Sequence, residues 1–215
     1  PFMQTCLAEI RSGSEKGQLY ASGTARVGAA LKVERVPVIK KQAISAYDPR
    51  VVEVTGISMM LTAQGADHTV GNAPSFKCDD KSIAELVAES LRMQINSAVA
   101  DSFGLCVFGR SVTDDNLKLI ADAINDAFDA GVDPEFIRHI AFETLRLEAA
   151  FNKAAGFDEA DDELPSFFTD EPLPPTNKTN RLFSREVNQQ MQTLLANAPV
   201  SVSYTHLRAH ETSRN

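Results

Sequence analysis

The stretch KSIAELVAESLRMQINSAVADSFGLC, Lys81 to Cys106, decides how the rest of the chain is read. In its first twenty residues the apolar positions Ile83, Leu86, Val87, Leu91, Ile95 and Val99 fall mainly three or four apart, with Glu85, Glu89 and Arg92 between them. That period makes an amphipathic helix, and Asp80 is positioned to cap it. The helix runs into DSFGLC, Asp101 to Cys106, which sets a carboxylate, a flexible backbone turn and a thiol within one short reach. Taken alone, a Cys after a helix is an ordinary small hydrophobe.

Helical periodicity extends outward in both directions. Thr113 opens a helix carrying Leu117, Ile120, Ala121, Ile124 and Phe128, with Gly131 as its left-handed terminator. Asp133 and Pro134 restart the chain as N-cap and first helical residue, and this helix runs to about Ala155, before Gly156. The two form an antiparallel pair. Residues 154–177 hold seven carboxylates, four prolines and no Lys or Arg, the composition of an extended, solvated loop. Within it Asp161, Asp162 and Glu163 read as a charged turn in water, because no His or spaced partner carboxylate accompanies them. A last helix is expected from about Ser184 to Asn197. On the N-terminal side, residues 3–11 and 18–31 read as helices split by SGSEKG, and Pro37 and Pro49 bracket an irregular connector, Val38 to Asp48. The expected fold class is mainly α and multi-helical. Its organisation is a leading segment 1–38, a helical domain 39–200 and a tail 201–215.

Two features suggest that neither end is native. The chain opens at Pro1 in what reads as mid-helix, and VSYTHLRAHET, Val202 to Thr212, resembles a transposon-end sequencing adapter read through into an open frame. Setting residues 202–215 aside leaves 19 basic and 28 acidic side chains, a net of about −9, with His68 and His139 as the remaining histidines. Such a balance argues against nucleic acid, whose phosphates need clustered Lys and Arg. Cys6, Cys78 and Cys106 show no paired spacing and no CxxC. That excludes a disulfide framework and a self-contained zinc or iron-sulfur site, and suits a reducing cytoplasm. No apolar run approaches the roughly 18 residues of a membrane span.

Three segments in order carry a resemblance to a known family. They are AYDPR (Ala46 to Arg50) followed by VTGISMMLTAQGADHT (Val54 to Thr69), then DSFGLC, then LRLEAAFNKAAGF and DDELP within Leu145 to Pro165. In this order and approximate spacing the chain resembles the C-terminal part of the aldehyde ferredoxin oxidoreductase family of tungsten-pterin enzymes. That family combines an N-terminal sheet domain with two helical domains, around a tungsten (or molybdenum) bis-pterin and a 4Fe-4S cluster. The resemblance implies that residues 1–38 trail from the middle helical domain and 39–200 form the C-terminal one.

For single residues the resemblance implies the following roles. Asp101 binds pterin, whose amino-pyrimidinone edge offers parallel N–H donors that one carboxylate accepts as a fork. Gly104 lets the backbone approach the cofactor, and Leu105 presents main-chain groups to it. Cys106 corresponds to the fourth cluster ligand, a thiolate on iron. His68 stands where the family has a histidine near tungsten, a catalytic proton donor or acceptor as water adds to the aldehyde carbon. Two positions depart from the pattern. Val70 replaces a basic residue commonly found two after the His, and Phe167 stands where an Arg often follows the LP pair; Arg50 is the candidate substitute. Cys6, Cys78 and His139 read as packing or surface residues, and Met59 and Met60 as core or pocket wall.

The resulting expectation is a C-terminal fragment of an enzyme that oxidises aldehydes to carboxylic acids and passes two electrons through the cluster to ferredoxin, inactive on its own. Its partners would be ferredoxin, the aldehyde and the missing N-terminal domains, with a homo-oligomer left open. The rival from another class is a non-catalytic helical scaffold or assembly module, in which DSFGLC is only a helix end. The enzyme reading makes a geometric demand: Asp101, Cys106 and His68 should share one side of the domain, beside a cavity or an exposed apolar face.

Overall fold

Three short helices, α1 (Phe2–Ser12), α2 (Glu15–Ala21) and α3 (Thr24–Leu31), lead into a hairpin of β1 (Val38–Ile39) and β2 (Gln42–Ala43) in the computed structural model, which describes residues 2–198. There follow α4 (Glu53–Leu61), α5 (Ile83–Ser102), α6 (Arg110–Thr113), α7 (Leu117–Phe128), α8 (Pro134–Ala154), α9 (Phe167–Asp170) and α10 (Ser184–Ala196). The architecture is mainly α, as the periodicity requires. The tail residues Val202–Thr212 lie outside the described residues.

Helix α4 is buried along its whole length except at Leu61, and α5 packs against it, against α8 and against α10, while α7 lies on α8. Its apolar side chains Val54, Ile57, Met59 and Met60 point to several sides, which draws the helix inside the molecule. Its glycine allows that placement: a Cβ on Gly56 would come within 2.9 Å of Pro49 Cβ and 3.2 Å of Leu182 Cδ1. The polar groups it buries are bonded. Glu53 takes two bonds from Arg181, at 2.6 and 2.7 Å, and Ser58 Oγ bridges the Val54 and Gly71 carbonyls and lies 2.8 Å from Ser90 Oγ. A Cβ on Gly71 would run into Ser58 Oγ, so the loop before α5 can lie against α4 only with glycine there.

Several boundaries differ from the sequence expectation, each for a local reason. Ser82, not Asp80, caps α5: its hydroxyl accepts from Glu85 N while Glu85 accepts from Ser82 N, a reciprocal box, and Asp80 turns left-handed at φ 64°. Residues 18–31 break at Gly23 into α2 and α3. Helix α7 starts after Asn116 and stops at Asp129, itself left-handed at φ 49°, rather than at Gly131. The Asn125 side chain then clamps Val132 N and O, both at 2.8 Å, which closes the turn into α8. There Asp133 caps and Pro134 begins the helix, as read.

The connector 38–48 is a β-hairpin rather than irregular chain. Lys40 and Lys41 take φ of 47° and 66°, a turn whose two central residues are both left-handed, where Asn-Gly would have announced it. The acidic stretch 154–177 also differs from a solvated loop. It contains a 3₁₀ turn, Glu159–Asp162, and helix α9, and its charges are used. Asp162 pairs with Lys40, whose side chain is 4% exposed, and accepts from Asn188 Nδ2 at 2.8 Å; Glu163 accepts from Ser184 N at 2.9 Å at the start of α10.

Candidate cofactor site at the end of helix α5

Helix α5 ends in a six-residue arrest that the sequence DSFGLC builds directly. Gly104 is left-handed at φ 65°; its N–H bonds Asp101 O at 3.2 Å, and Leu105 N–H reaches back to Ala100 O at 2.7 Å. These are the paired bonds of a Schellman terminus, and Leu105 packs against the core as that motif favours. Nothing lies within 4 Å of a Cβ built on Gly104, so the glycine serves the turn, and the space beside it is open. Cys106 follows as an exposed thiol, and the next residues present exposed Val107, Phe108 and Val112.

Beside this terminus lies a cleft of about 640 Å³ between α5, α8 and α10, closed at one end by Lys40 and by the 3₁₀ turn. Helix α5 contributes Gln94, Ser97 and Asp101 to it; α8 contributes Thr144, Glu148 and Asn152. Both sets are spaced to fall on one helical face. Asp101 and Glu148 are both exposed, and neither side-chain carboxylate has a hydrogen-bond or ion-pair partner among the described residues. Partial loss of water around Glu148, which stays exposed, and then the neighbouring Asp101 charge push its carboxyl up from the ordinary glutamate value. Gln94 is buried, with Nε2 donating to Ser90 Oγ at 3.0 Å.

His68 is half-buried and sits with its ring 5.2 Å from that of Tyr47, tilted by 36°. Its loop is tied to the cleft wall: Ser97 Oγ donates to Thr69 O at 3.3 Å and accepts from Arg110 Nη1 at 2.8 Å, and Val70 lines the cleft. Of the five residues singled out in the sequence, Asp101 alone lines the cleft; Gly104, Leu105 and Cys106 lie on the turn beyond it, and His68 on the adjoining loop. Arg50 is structural. It grips Asp48 at 2.9 and 2.6 Å, donates to Glu171 O at 2.7 Å and stands 5.1 Å over the Phe168 ring, and the bonds to Asp48 hold its pKa above the usual value.

Among the described residues no three His, Cys, Asp or Glu side chains gather to hold a metal ion. Cys106 stands as a free, exposed thiol. The donor set of the cleft suits a pterin edge better than a metal, because Asp101 and Glu148 are spare acceptors facing space of ligand size. Glu148, Gln94 and Lys40 escaped the sequence analysis. The polar stripe Thr144, Glu148, Asn152, four residues apart on a helix, was the signal for the first. No helix among the described residues is long and apolar enough to cross a membrane.

Comparison with known proteins bears on the same span. A family model described as "Aldehyde ferredoxin oxidoreductase, domains 2 & 3" matches residues 2–196. Proteins described as tungsten-containing aldehyde ferredoxin oxidoreductase are similar to the chain. That of Pyrococcus horikoshii is 30% identical over 172 residues, 74% of this chain and 27% of the relative. That of Thermococcus kodakarensis is 32% identical over 149 residues, 63% of this chain and 24% of the relative. That of Pyrococcus furiosus is 29% identical over 172 residues, 74% of this chain and 27% of the relative. The chain thus spans about a quarter of the length of the curated relatives it matches.

Proposed function

Because this chain belongs to the aldehyde ferredoxin oxidoreductase family, we propose that it is the C-terminal helical part of a tungsten-pterin oxidoreductase that converts aldehydes to carboxylic acids and delivers the electrons to ferredoxin. The observation that carries this reading is the α5 terminus, where an unpartnered carboxylate opens on a cleft and an exposed thiol follows five residues later. Asp101 would hold the amino-pyrimidinone edge of a pterin by accepting two parallel N–H bonds. The open space at Gly104 and the accessible main chain of Leu105 would let that group lie close to the turn. Cys106 would supply one thiolate to a 4Fe-4S cluster, and its exposure leaves it free to do so. When bound, a tungsten bis-pterin would supply the two-electron oxidation of the aldehyde carbon.

His68 would hold or move a proton during water addition, with its ring steadied against Tyr47. In this reading residues 1–38 trail from the preceding helical domain, residues 39–200 form the last one, and the exposed Val107, Phe108 and Val112 meet the rest of the enzyme. The test is iron content in the complete enzyme. Cys106→Ala should lower cluster iron and ferredoxin reduction, while Cys78→Ala, at a buried thiol inside the packed core, should leave iron per folded protein unchanged. Full iron and full ferredoxin reduction in the Cys106 variant would remove the ligand role. A coding sequence upstream with no CxxCxxxC and no second DxxGL segment would remove the enzyme reading.

A further inference from the structure

Helix α8 turns three polar side chains to the cleft at four-residue spacing, and two of them are already engaged. Thr144 Oγ1 donates to Ile140 O at 2.9 Å, and Asn152 Nδ2 donates to Ala63 O at 2.7 Å. Glu148, between them, has no such partner among the described residues. The other acids of the cleft are differently placed: Asp162 is held by Lys40 and Asn188, Asp158 accepts from Ala160 N at 2.8 Å, and Glu159 lies in the exposed 3₁₀ turn.

Opposite Glu148, helix α5 offers two more acceptors. Asp101 is one. Gln94 is the other: its side chain is 6% exposed overall and lines the cleft, Nε2 is spent on Ser90 Oγ, and Oε1 accepts nothing among the described residues. That oxygen is not sealed in the core, so it is an acceptor within reach of a guest in the cleft. Three acceptors on two helices that line one cleft, with apolar walls at Leu61, Leu145 and Met191, suit a flat guest rich in N–H donors.

We propose that Glu148 is a further pterin-binding residue, accepting an N–H bond from the amino-pyrimidinone edge of the heterocycle in the cleft it shares with Asp101, so that helices α5 and α8 both hold the ring. This rests on the assignment of Asp101 as a pterin anchor and adds the second carboxylate to it. An ionised Glu148 accepts; a protonated one loses that capacity on the oxygen carrying the proton. Partial desolvation and the Asp101 charge raise the pKa of Glu148, so binding should weaken as pH falls through that raised value. The charged groups sharing the cleft are Asp101 from α5, Lys153 one turn on from Glu148, Lys40 with Asp162, and Asp158 and Glu159; α10 brings only neutral Asn188 and Gln192 there among polar groups.

The test is titration of the present chain with free pterin, 2-amino-4-oxopteridine, followed by quenching of the pterin's own fluorescence, with a thermal melt of each variant as control. Glu148→Ala should weaken binding roughly tenfold at pH 7 with an unchanged melt, the size of one good hydrogen bond. Glu148→Gln, which keeps an acceptor oxygen, should lose roughly threefold and flatten the acid side of the pH profile. It also decides the matter if the alanine variant fails to fold. Asp101→Asn should weaken binding at least as much as Glu148→Ala. Asp101→Asn weak with both Glu148 variants normal overturns the role of Glu148 and leaves the Asp101 anchor standing. Weak Glu148 variants with a normal Asp101→Asn support Glu148 and overturn the anchor. Binding unchanged in all three, or absent from the wild type at millimolar pterin, overturns both.

Discussion

At its N-terminus α5 is held by the Ser82–Glu85 box and sinks Leu86 and Val87 fully into the core, whereas twenty residues later the same helix hands over to an exposed Cys106, to Phe108 with 93% of its surface in water, and to exposed Val107 and Val112. One end is therefore built for stability and the other for presentation. In α4, by contrast, Ile57, Met59 and Met60 are wholly buried, although Phe2, Phe128 and Phe151 are exposed much as Phe108 is. An exposed apolar cluster beside a thiol and an open cleft marks a surface meant to be covered. Under the proposed function, the preceding domains of the enzyme would cover it.

The sharpest way to break the contrast is to damage the packed end. Leu86→Ala should cost about 2–5 kcal/mol, through lost burial and the cavity left among α4, α5 and their neighbours, read by denaturant unfolding. Next in size is Arg181→Ala. Arg181 takes Glu53 by both oxygens and also bonds Lys81 O at 2.8 Å and Cys78 O at 3.3 Å, so it joins the entry of α5 to the base of α4. Removing it leaves a buried carboxylate without its cation, and because the arginine itself is partly exposed the loss should be about 2 kcal/mol rather than the full cost of a sealed pair. A loss no larger than that of an ordinary surface change would show that the α5 entry is held by apolar packing alone.

The helices of this region were legible because apolar period and caps agree, as at Asp133-Pro134 and along Ile83 to Val99. What stayed hidden depends on contacts between distant residues. Lys40-Lys41 carries no turn signature, and the hairpin it forms is anchored by Asp162, 122 residues away in sequence. The acid run 158–163 looked solvated because its partners, Lys40, Asn188 and Ser184 N, come from other elements. At the site, the Asp101–Cys106 turn was readable as a local motif, since Gly104 needs its left-handed φ for the helix to stop. Glu148 was not, because only the α5–α8 packing shows which acid Asp101 faces.

The cap sharpens the comparison at smaller scale. Ser82→Ala should cost about 1 kcal/mol, as N-cap losses do. The Glu85 carboxyl, held down to about 2 by its bonds to Ser82 backbone and hydroxyl and then by Lys81, adds a pH signature. Its folded value lies below its unfolded one, so its contribution is complete above about pH 4.5 and is lost as pH falls toward 2. Glu85→Gln should flatten that acid limb of the stability curve. An unchanged limb would mean that the reciprocal box does not form in solution.

The smallest expected effect is the most pointed. Phe108→Ser removes an aromatic ring, a change that costs about 3–5 kcal/mol when the analogous deletion is made in a core. Here the ring is almost wholly in water, so folding should cost it almost no free energy and the melt of this chain should shift by no more than a surface substitution does, within about 0.5 kcal/mol. Iodoacetamide should at the same time modify Cys106 far faster than Cys78, which is buried, in the wild type and the variant alike. A core-sized loss on Phe108→Ser, or a protected Cys106, would mean that the chain in solution folds this segment back on itself. The surface assigned to the rest of the enzyme would then already be occupied.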